Sequence, residues 1–128
     1  MKTIDDFRAY RQRMNDRILE ADHLGIKRFF NLDTAAYRDG ALDARTKELL
    51  GLVASAVLRC NDCIDYHLDQ CVEIGWNDEE LYDALNVALV VGGSIVIPHL
   101  RHAFDTIDQL RAEQDGSGGK SAKAEESQ

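Results

Sequence analysis

Proline is nearly missing from this chain: Pro98 is the only one in 128 residues. With Ala, Leu, Asp and Glu abundant, that scarcity argues against a strand-and-turn protein and for long helices. Basic charge is scarce as well. The 15 Lys and Arg are outnumbered by 23 Asp and Glu, for a formal net charge of -8. No basic run is clustered, and nucleic acid and anionic membranes are held chiefly through Lys and Arg, so neither is expected as a partner. Long apolar runs are lacking. The longest, near residues 85–91, falls far short of the roughly 20 residues that cross a bilayer. The opening Met1-Lys2-Thr3-Ile4-Asp5-Asp6 is acidic and does not read as a secretion signal, so a cytoplasmic location is the default expectation. Cysteines number only three, an odd count that makes a structural disulfide framework unexpected. A glycine-rich phosphate loop is absent too. Nothing marks a haem, flavin or nucleotide site, and no cofactor is expected.

What is present is helical spacing. Thr3 reads as a cap, with Asp5 and Asp6 at the positive helix end, followed by Phe7, Tyr10, Met14, Ile18 and Leu19 on one face. Gly25 is expected to end this segment, with a short helix over 26–31 after it. Asp33-Thr34 reads as the cap of another short helix stopping at Asp39-Gly40. Asp43 caps a stronger helix over 44–58. Its Leu49, Leu50, Leu52, Val53, Ala54, Ala56 and Val57 leave almost no polar face, which predicts burial in the core or between subunits. Arg59-Cys60-Asn61-Asp62 interrupts the pattern. The next helix carries Ile64, Leu68, Val72 and Ile74 to Gly75. Asn77 and Glu80 form a capping-box pattern for a helix that runs through Leu81, Leu85 and Ala88 to Gly92-Gly93. A last helix begins near 95–98 with Leu100, Phe104, Ile107 and Leu110. Beyond Gln114 no large apolar residue remains, so a domain over 1–114 and a flexible tail over 115–128 are expected. The predicted fold class is all-α, one compact domain of about six helices.

Chemistry concentrates in Cys60-Asn61-Asp62-Cys63 at a helix start. Residues i and i+3 share a helix face, so the two sulfurs can meet, and a disulfide is compatible with that separation. Unpaired N–H groups and the positive helix end favour thiolate over thiol. His67 lies one turn beyond Cys63. It can accept the thiol proton or, protonated, stabilise the thiolate; orienting the helix by a hydrogen bond is the other reading. Glu48 sits in the otherwise apolar preceding helix, where a carboxylate is costly unless partnered. It is a candidate for proton transfer with the dithiol, or a structural ion-pair member. Cys71 continues the stripe and reads as a small buried hydrophobe. His99 is a further candidate, while His102 reads as surface and Trp76 as packing. Cysteine and histidine are also zinc-ligand types. From Cys60 to Cys71 a helix rises about 16 Å, too far for one ion to take Cys60, Cys63, His67 and Cys71 together. Cys60, Cys63 and His67 would need a further ligand from elsewhere, and no metal is expected.

The full spacing, Glu48-x11-Cys60-x2-Cys63-x3-His67, resembles the alkyl hydroperoxidase D-like (AhpD-like) group of the carboxymuconolactone decarboxylase superfamily. Ala41-Leu42-Asp43-x3-Lys47-Glu48-Leu49, Gly75-Trp76-x3-Glu80-Leu81 and Val90-Val91-Gly92-Gly93-Ser94 with Pro98 extend the likeness from about Phe30 to Phe104. The resemblance implies an all-α fold and homo-oligomers, often trimers or hexamers. It also implies roles. Cys63 would be the peroxidatic thiol that becomes a sulfenic acid, and Cys60 the resolving thiol. His67 and Glu48 would form the proton relay. The implied partners are a small hydroperoxide and an external dithiol reductant, lipoyl-bearing or thioredoxin-like. Two other readings stand beside it: lactone decarboxylation, the chemistry that names the superfamily and does not depend on a CxxC, and a non-catalytic redox switch or scaffold that would use the same dithiol. One departure stands out. Some members carry histidine directly before the second cysteine, where this chain has Asp62, whose charge opposes thiolate formation.

Overall fold

The structure is a computed structural model and describes residues 3–121. Its six α-helices are α1 (Ile4–Glu20), α2 (Leu24–Ala36), α3 (Ala44–Val57), α4 (Asn61–Glu73), α5 (Asp78–Gly92) and α6 (Ile97–Ser121). A 3₁₀ turn, Ser94–Val96, leads into α6, and no strand occurs among the described residues. The fold is all-α. None of these helices is long and apolar enough to cross a membrane.

Local chemistry sets most of the starts. Thr3 and Asp6 close a capping box on α1, and Asn77 and Glu80 close the predicted one on α5. The Asp43 carboxylate accepts from the Thr46 N–H at 2.7 Å to open α3. Pro98 falls in the first turn of α6, where a missing N–H costs nothing.

Between α1 and α3 the structure departs from the expectation. One helix, α2, replaces the two short ones. The chain turns at Asp22, whose φ of 55° is left-handed, and His23 Nδ1 then caps α2 by accepting from Ile26 N–H at 3.3 Å. Gly25 lies in the first turn, where its N–H needs no helical partner, so it breaks nothing. Thr34 does not cap either. Its hydroxyl donates to the Phe30 carbonyl one turn back at 3.1 Å, which satisfies it inside the helix. Part of the tail expected over 115–128 is also helical, because α6 continues past Gln114 to Ser121. Residues 122–128 lie outside the described residues.

The core sits where α3, α4, α5 and α6 face one another. Leu52 and Ala56 meet Ile64, Leu68, Cys71 and Val72, and these pack on Leu81, Leu85, Ala88, Ala103, Ile107 and Leu110, all buried. The apolar α3 is buried on only one face within this chain; Leu50 is half exposed. α1 meets the core through Ile4 and Phe7, and Arg8 ties it to its neighbours by charge. Its guanidinium grips Asp69 of α4 through two bonds of 2.8 and 2.7 Å, and Glu113 of α6 at 2.6 and 2.9 Å. Such forked, charge-assisted bonds are stronger than single neutral ones. Arg8→Met is expected to lower the unfolding free energy by about 1–2 kcal/mol, measured by urea denaturation, because α1 loses its ion pairs to both helices.

Candidate dithiol active site

The corner between α3 and α4 places the dithiol. At the end of α3, Arg59 adopts a left-handed φ of 61°. The Arg59 N–H donates to the Ala56 carbonyl at 3.1 Å and the Cys60 N–H to the Ser55 carbonyl at 3.1 Å, the two bonds of a Schellman ending. Cys60 then caps α4 with its own sulfur, which accepts the Cys63 N–H at 3.3 Å. Cys60 and Cys63 are joined by a disulfide across a Cα–Cα distance of 5.3 Å. The sulfur at position 60 therefore lies where the helix end best supports negative charge.

The two cysteines differ in what they face. Cys63 lines a cavity of about 340 Å³, and Cys60 does not. α1 contributes Phe7, Tyr10, Arg11 and Met14 to its walls, α2 and its end contribute Asp33 and Tyr37, and α4 contributes Asp62, Cys63, Tyr66 and His67. Phe7, Tyr10, Met14, Tyr37 and Tyr66 thus give aromatic and apolar surface around one sulfur and one imidazole, while Arg11, Asn15, Asp33 and Asp62 add polar and charged groups.

His67 and Glu48 form the predicted pair. Both are buried, with His67 Nδ1 2.8 Å from Glu48 Oε1. A carboxylate oxygen accepts, so Nδ1 carries the proton and Nε2 is left toward the cavity side, 3.4 Å from the Tyr37 hydroxyl. Gly51 makes the arrangement possible. A Cβ there would fall 2.6 Å from His67 Cε1, so the imidazole lies directly on the α3 backbone. Tyr66 sets its ring edge-on to His67 at 5.2 Å, and the Arg11 guanidinium covers Tyr66 at 4.1 Å. Burial, and after it the Glu48 charge, pushes the Tyr37 and Tyr66 hydroxyls above the ordinary phenol value. Both are protonated at neutral pH and able to donate.

The four candidates thus occur as two bonded pairs, Glu48 with His67 and Cys60 with Cys63, and one member of each lines the same cavity. Cys71 stays apart. It is fully buried, and burial pushes its thiol up to about 12. Trp76 packs, donating to the Arg45 carbonyl at 3.0 Å beneath the Arg45 guanidinium. His99 holds the dithiol segment through Asn61 Oδ1 at 2.8 Å. His102 is not a free surface residue, contrary to expectation. It donates to Asp65 at 2.9 Å, and Thr106 donates to the same carboxylate at 2.6 Å. Asp65 is buried and must be partnered, and α6 supplies both donors. Among the described residues, no group of three or more His, Cys, Asp or Glu is arranged to hold a metal ion. Sequence reasoning missed Tyr37, Gly51 and Asp65. A glycine inside an apolar helix and an aspartate on the core side of α4 were the available signals for the last two.

Comparison with known proteins agrees with this all-α fold. A profile described as the carboxymuconolactone decarboxylase family matches residues 26–106. The crystal structure of TM1620 from Thermotoga maritima superposes with a TM-score of 0.84 at 56% identity, over 86% of this chain and 96% of that one. A second structure of it gives 0.82 and describes a carboxymuconolactone decarboxylase family protein for which involvement in the antioxidative response has been suggested. Apo-lpg0406 from Legionella pneumophila, also of that family, superposes with a TM-score of 0.68 at 27% identity, over 82% of this chain and 90% of its own. A Paracoccus denitrificans protein, uncharacterized protein 4 in cox locus, is 29% identical over 64% of this chain and 74% of its length.

Two outcomes are expected from the site itself. Gly51→Ala should force the imidazole off α3, break the Glu48 bond and cost about 1–3 kcal/mol, seen as a lower denaturation midpoint and a shifted His67 ring resonance. In the reduced native protein iodoacetamide should label Cys60 and Cys63 but spare Cys71, even as pH rises through about 8.5, where an ordinary thiol ionises. Folding favours the neutral Cys71 thiol, so this residue's contribution to stability is retained at neutral pH and lost as pH climbs toward about 12.

Proposed function

Because the chain belongs to the carboxymuconolactone decarboxylase family, we propose that it is a CxxC-dependent thiol oxidoreductase that reduces small hydroperoxides. The observation that carries this reading is the asymmetry of the dithiol: Cys63 opens on the cavity beside His67, while Cys60 caps the helix behind it.

In the reduced protein the Cys63 thiolate attacks the terminal oxygen of the hydroperoxide. The S–O bond forms, the O–O bond breaks, and the alcohol leaves with a proton. Cys63 is then a sulfenic acid. The Cys60 thiolate attacks that sulfur, hydroxide leaves as water after taking a proton, and the observed disulfide results. His67, held by Glu48, moves the protons. A cavity of about 340 Å³ accommodates a small organic molecule. Reduction runs through the same opening. One thiolate of an external dithiol attacks Cys63 Sγ and expels Cys60 as a thiolate that already accepts the Cys63 N–H. The donor's second thiolate closes its own disulfide and frees Cys63. A lipoyl-bearing or thioredoxin-like protein supplies that dithiol. Asp62 lines the cavity next to Cys63, and its charge slows the first step.

The same reading includes self-association into a trimer or hexamer. Phe29 and Leu32 on α2 and Val87, Val90 and Val91 on α5 are exposed, which supports burial of these residues against another subunit.

Cys63→Ser should reduce hydroperoxide-dependent consumption of a dithiol to background. Cys60→Ser should instead accumulate a Cys63 sulfenic acid, detected by dimedone adduction and mass spectrometry. Unchanged turnover in Cys63→Ser would sink the proposal. Decarboxylation of a carboxymuconolactone that survives loss of both cysteines would replace it with the lactone reaction.

A further inference from the structure

We infer that Tyr37 is the outer end of the proton relay, passing protons between the cavity and His67 Nε2. The inference rests on the peroxidase reading for its substrate but not for its geometry.

The imidazole has two nitrogens, and Nδ1 is committed to Glu48 at 2.8 Å. Exchange with the cavity must therefore pass through Nε2. The polar partner the structure gives Nε2 is the Tyr37 hydroxyl, at 3.4 Å. That is long for a hydrogen bond in a resting site, and such contacts tighten when substrate is bound. The phenol also lines the cavity with Cys63. Its ring lies 5.4 Å from the His67 ring, centroid to centroid, and the backbone that carries it is anchored. Tyr37 ends α2, and the Lys47 ammonium donates to the carbonyls on either side of it, Ala36 at 2.9 Å and Arg38 at 2.7 Å. A cation at a helix C-terminus is a favourable anchor. Around the phenol and the cavity stand Tyr10 and Arg11 from α1, Asp33 from α2, Glu48 from α3, and Asp62, Cys63 and Tyr66 from α4.

The steps balance. Tyr37 gives its proton to Nε2 and takes that of the Cys63 thiol, leaving a thiolate and an imidazolium paired with Glu48. The thiolate attacks the hydroperoxide, sulfur loses two electrons, and the O–O bond accepts them. The departing alkoxide takes the phenol proton, since a phenol is far more acidic than an aliphatic alcohol. The imidazolium returns a proton to the phenoxide. Relay and enzyme are restored, with Cys63 oxidised to the sulfenic acid and the alcohol released.

The test uses the full-length reduced protein. Alkylation of Cys63 by iodoacetamide is followed against pH, with the modified peptide identified by mass spectrometry. Tyr37→Phe keeps the ring and removes the hydroxyl. It is expected to slow Cys63 alkylation at neutral pH about tenfold and to move the profile to higher pH. His67→Asn should do the same, and the double variant should be no worse than His67→Asn alone, because both act on one path. In turnover, Tyr37→Phe should lower kcat/KM for an organic hydroperoxide about 10²-fold. A Tyr37→Phe alkylation profile that overlays the wild type overturns the inference, as do additive effects in the double variant. Alkylation needs no hydroperoxide. A wild-type protein that consumes none, yet shows the Tyr37 shift, refutes the peroxidase reading and leaves the relay standing.

Discussion

Two helices meet at a corner so tight that one residue serves both. Cys60 closes α3 by donating its N–H to the Ser55 carbonyl and opens α4 by accepting the Cys63 N–H on its sulfur. That double role sets the rest. It places Cys63 in the first turn of α4 and His67 one turn on, facing α3 where Glu48 and Gly51 lie. The corner has a cost, since Arg59 sits in the left-handed region, worth about 1–2 kcal/mol for a residue with a side chain. At the other end of α4 the same kind of ending uses Gly75 at φ 99°, with Trp76 N–H donating to the Cys71 carbonyl, and carries no such cost. Of the two ends of α4, the strained one is thus the end that carries the dithiol.

A buried carboxylate and a buried imidazole are tolerated beside that corner because each answers the other. Neither would be stable alone between α3 and α4. Their environment also makes them useful. In surroundings poor in water, a proton shared between Glu48 and His67 has few places to go except along hydrogen bonds the fold provides. α6 supports this from the far side. His99 bonds Asn61, and His102 with Thr106 bonds Asp65, so the first turns of α4 are pinned on the face opposite α3.

The parts legible in the sequence are those written in short range. The caps at Thr3, Asp43 and Asn77–Glu80 depend on neighbours a few residues apart. The dithiol and His67 share one helix turn after turn, and Glu48 was conspicuous as a charge in an apolar helix. What the sequence did not disclose is contact across long separations. Tyr37 reaches His67 from an exposed helix end, and nothing in its local pattern distinguishes it from the other tyrosines. One wall of the cavity comes from α1, whose amphipathic spacing shows that it packs but not what it encloses. The extent of α2 is hidden because Gly25 and Asp33-Thr34 look like boundaries, while the actual boundary is a left-handed aspartate followed by a histidine cap. His102 looked peripheral because its partner, Asp65, lies on another helix.

Trp76 is the only tryptophan in the chain. Its indole lies under the Arg45 guanidinium of α3, hydrogen-bonded to the Arg45 carbonyl, at the end of α4 remote from the cysteines. Its emission is therefore a built-in optical gauge of whether α3 still lies along α4. Because the indole lies outside the cavity that Cys63 lines, the signal follows the integrity of the helical frame.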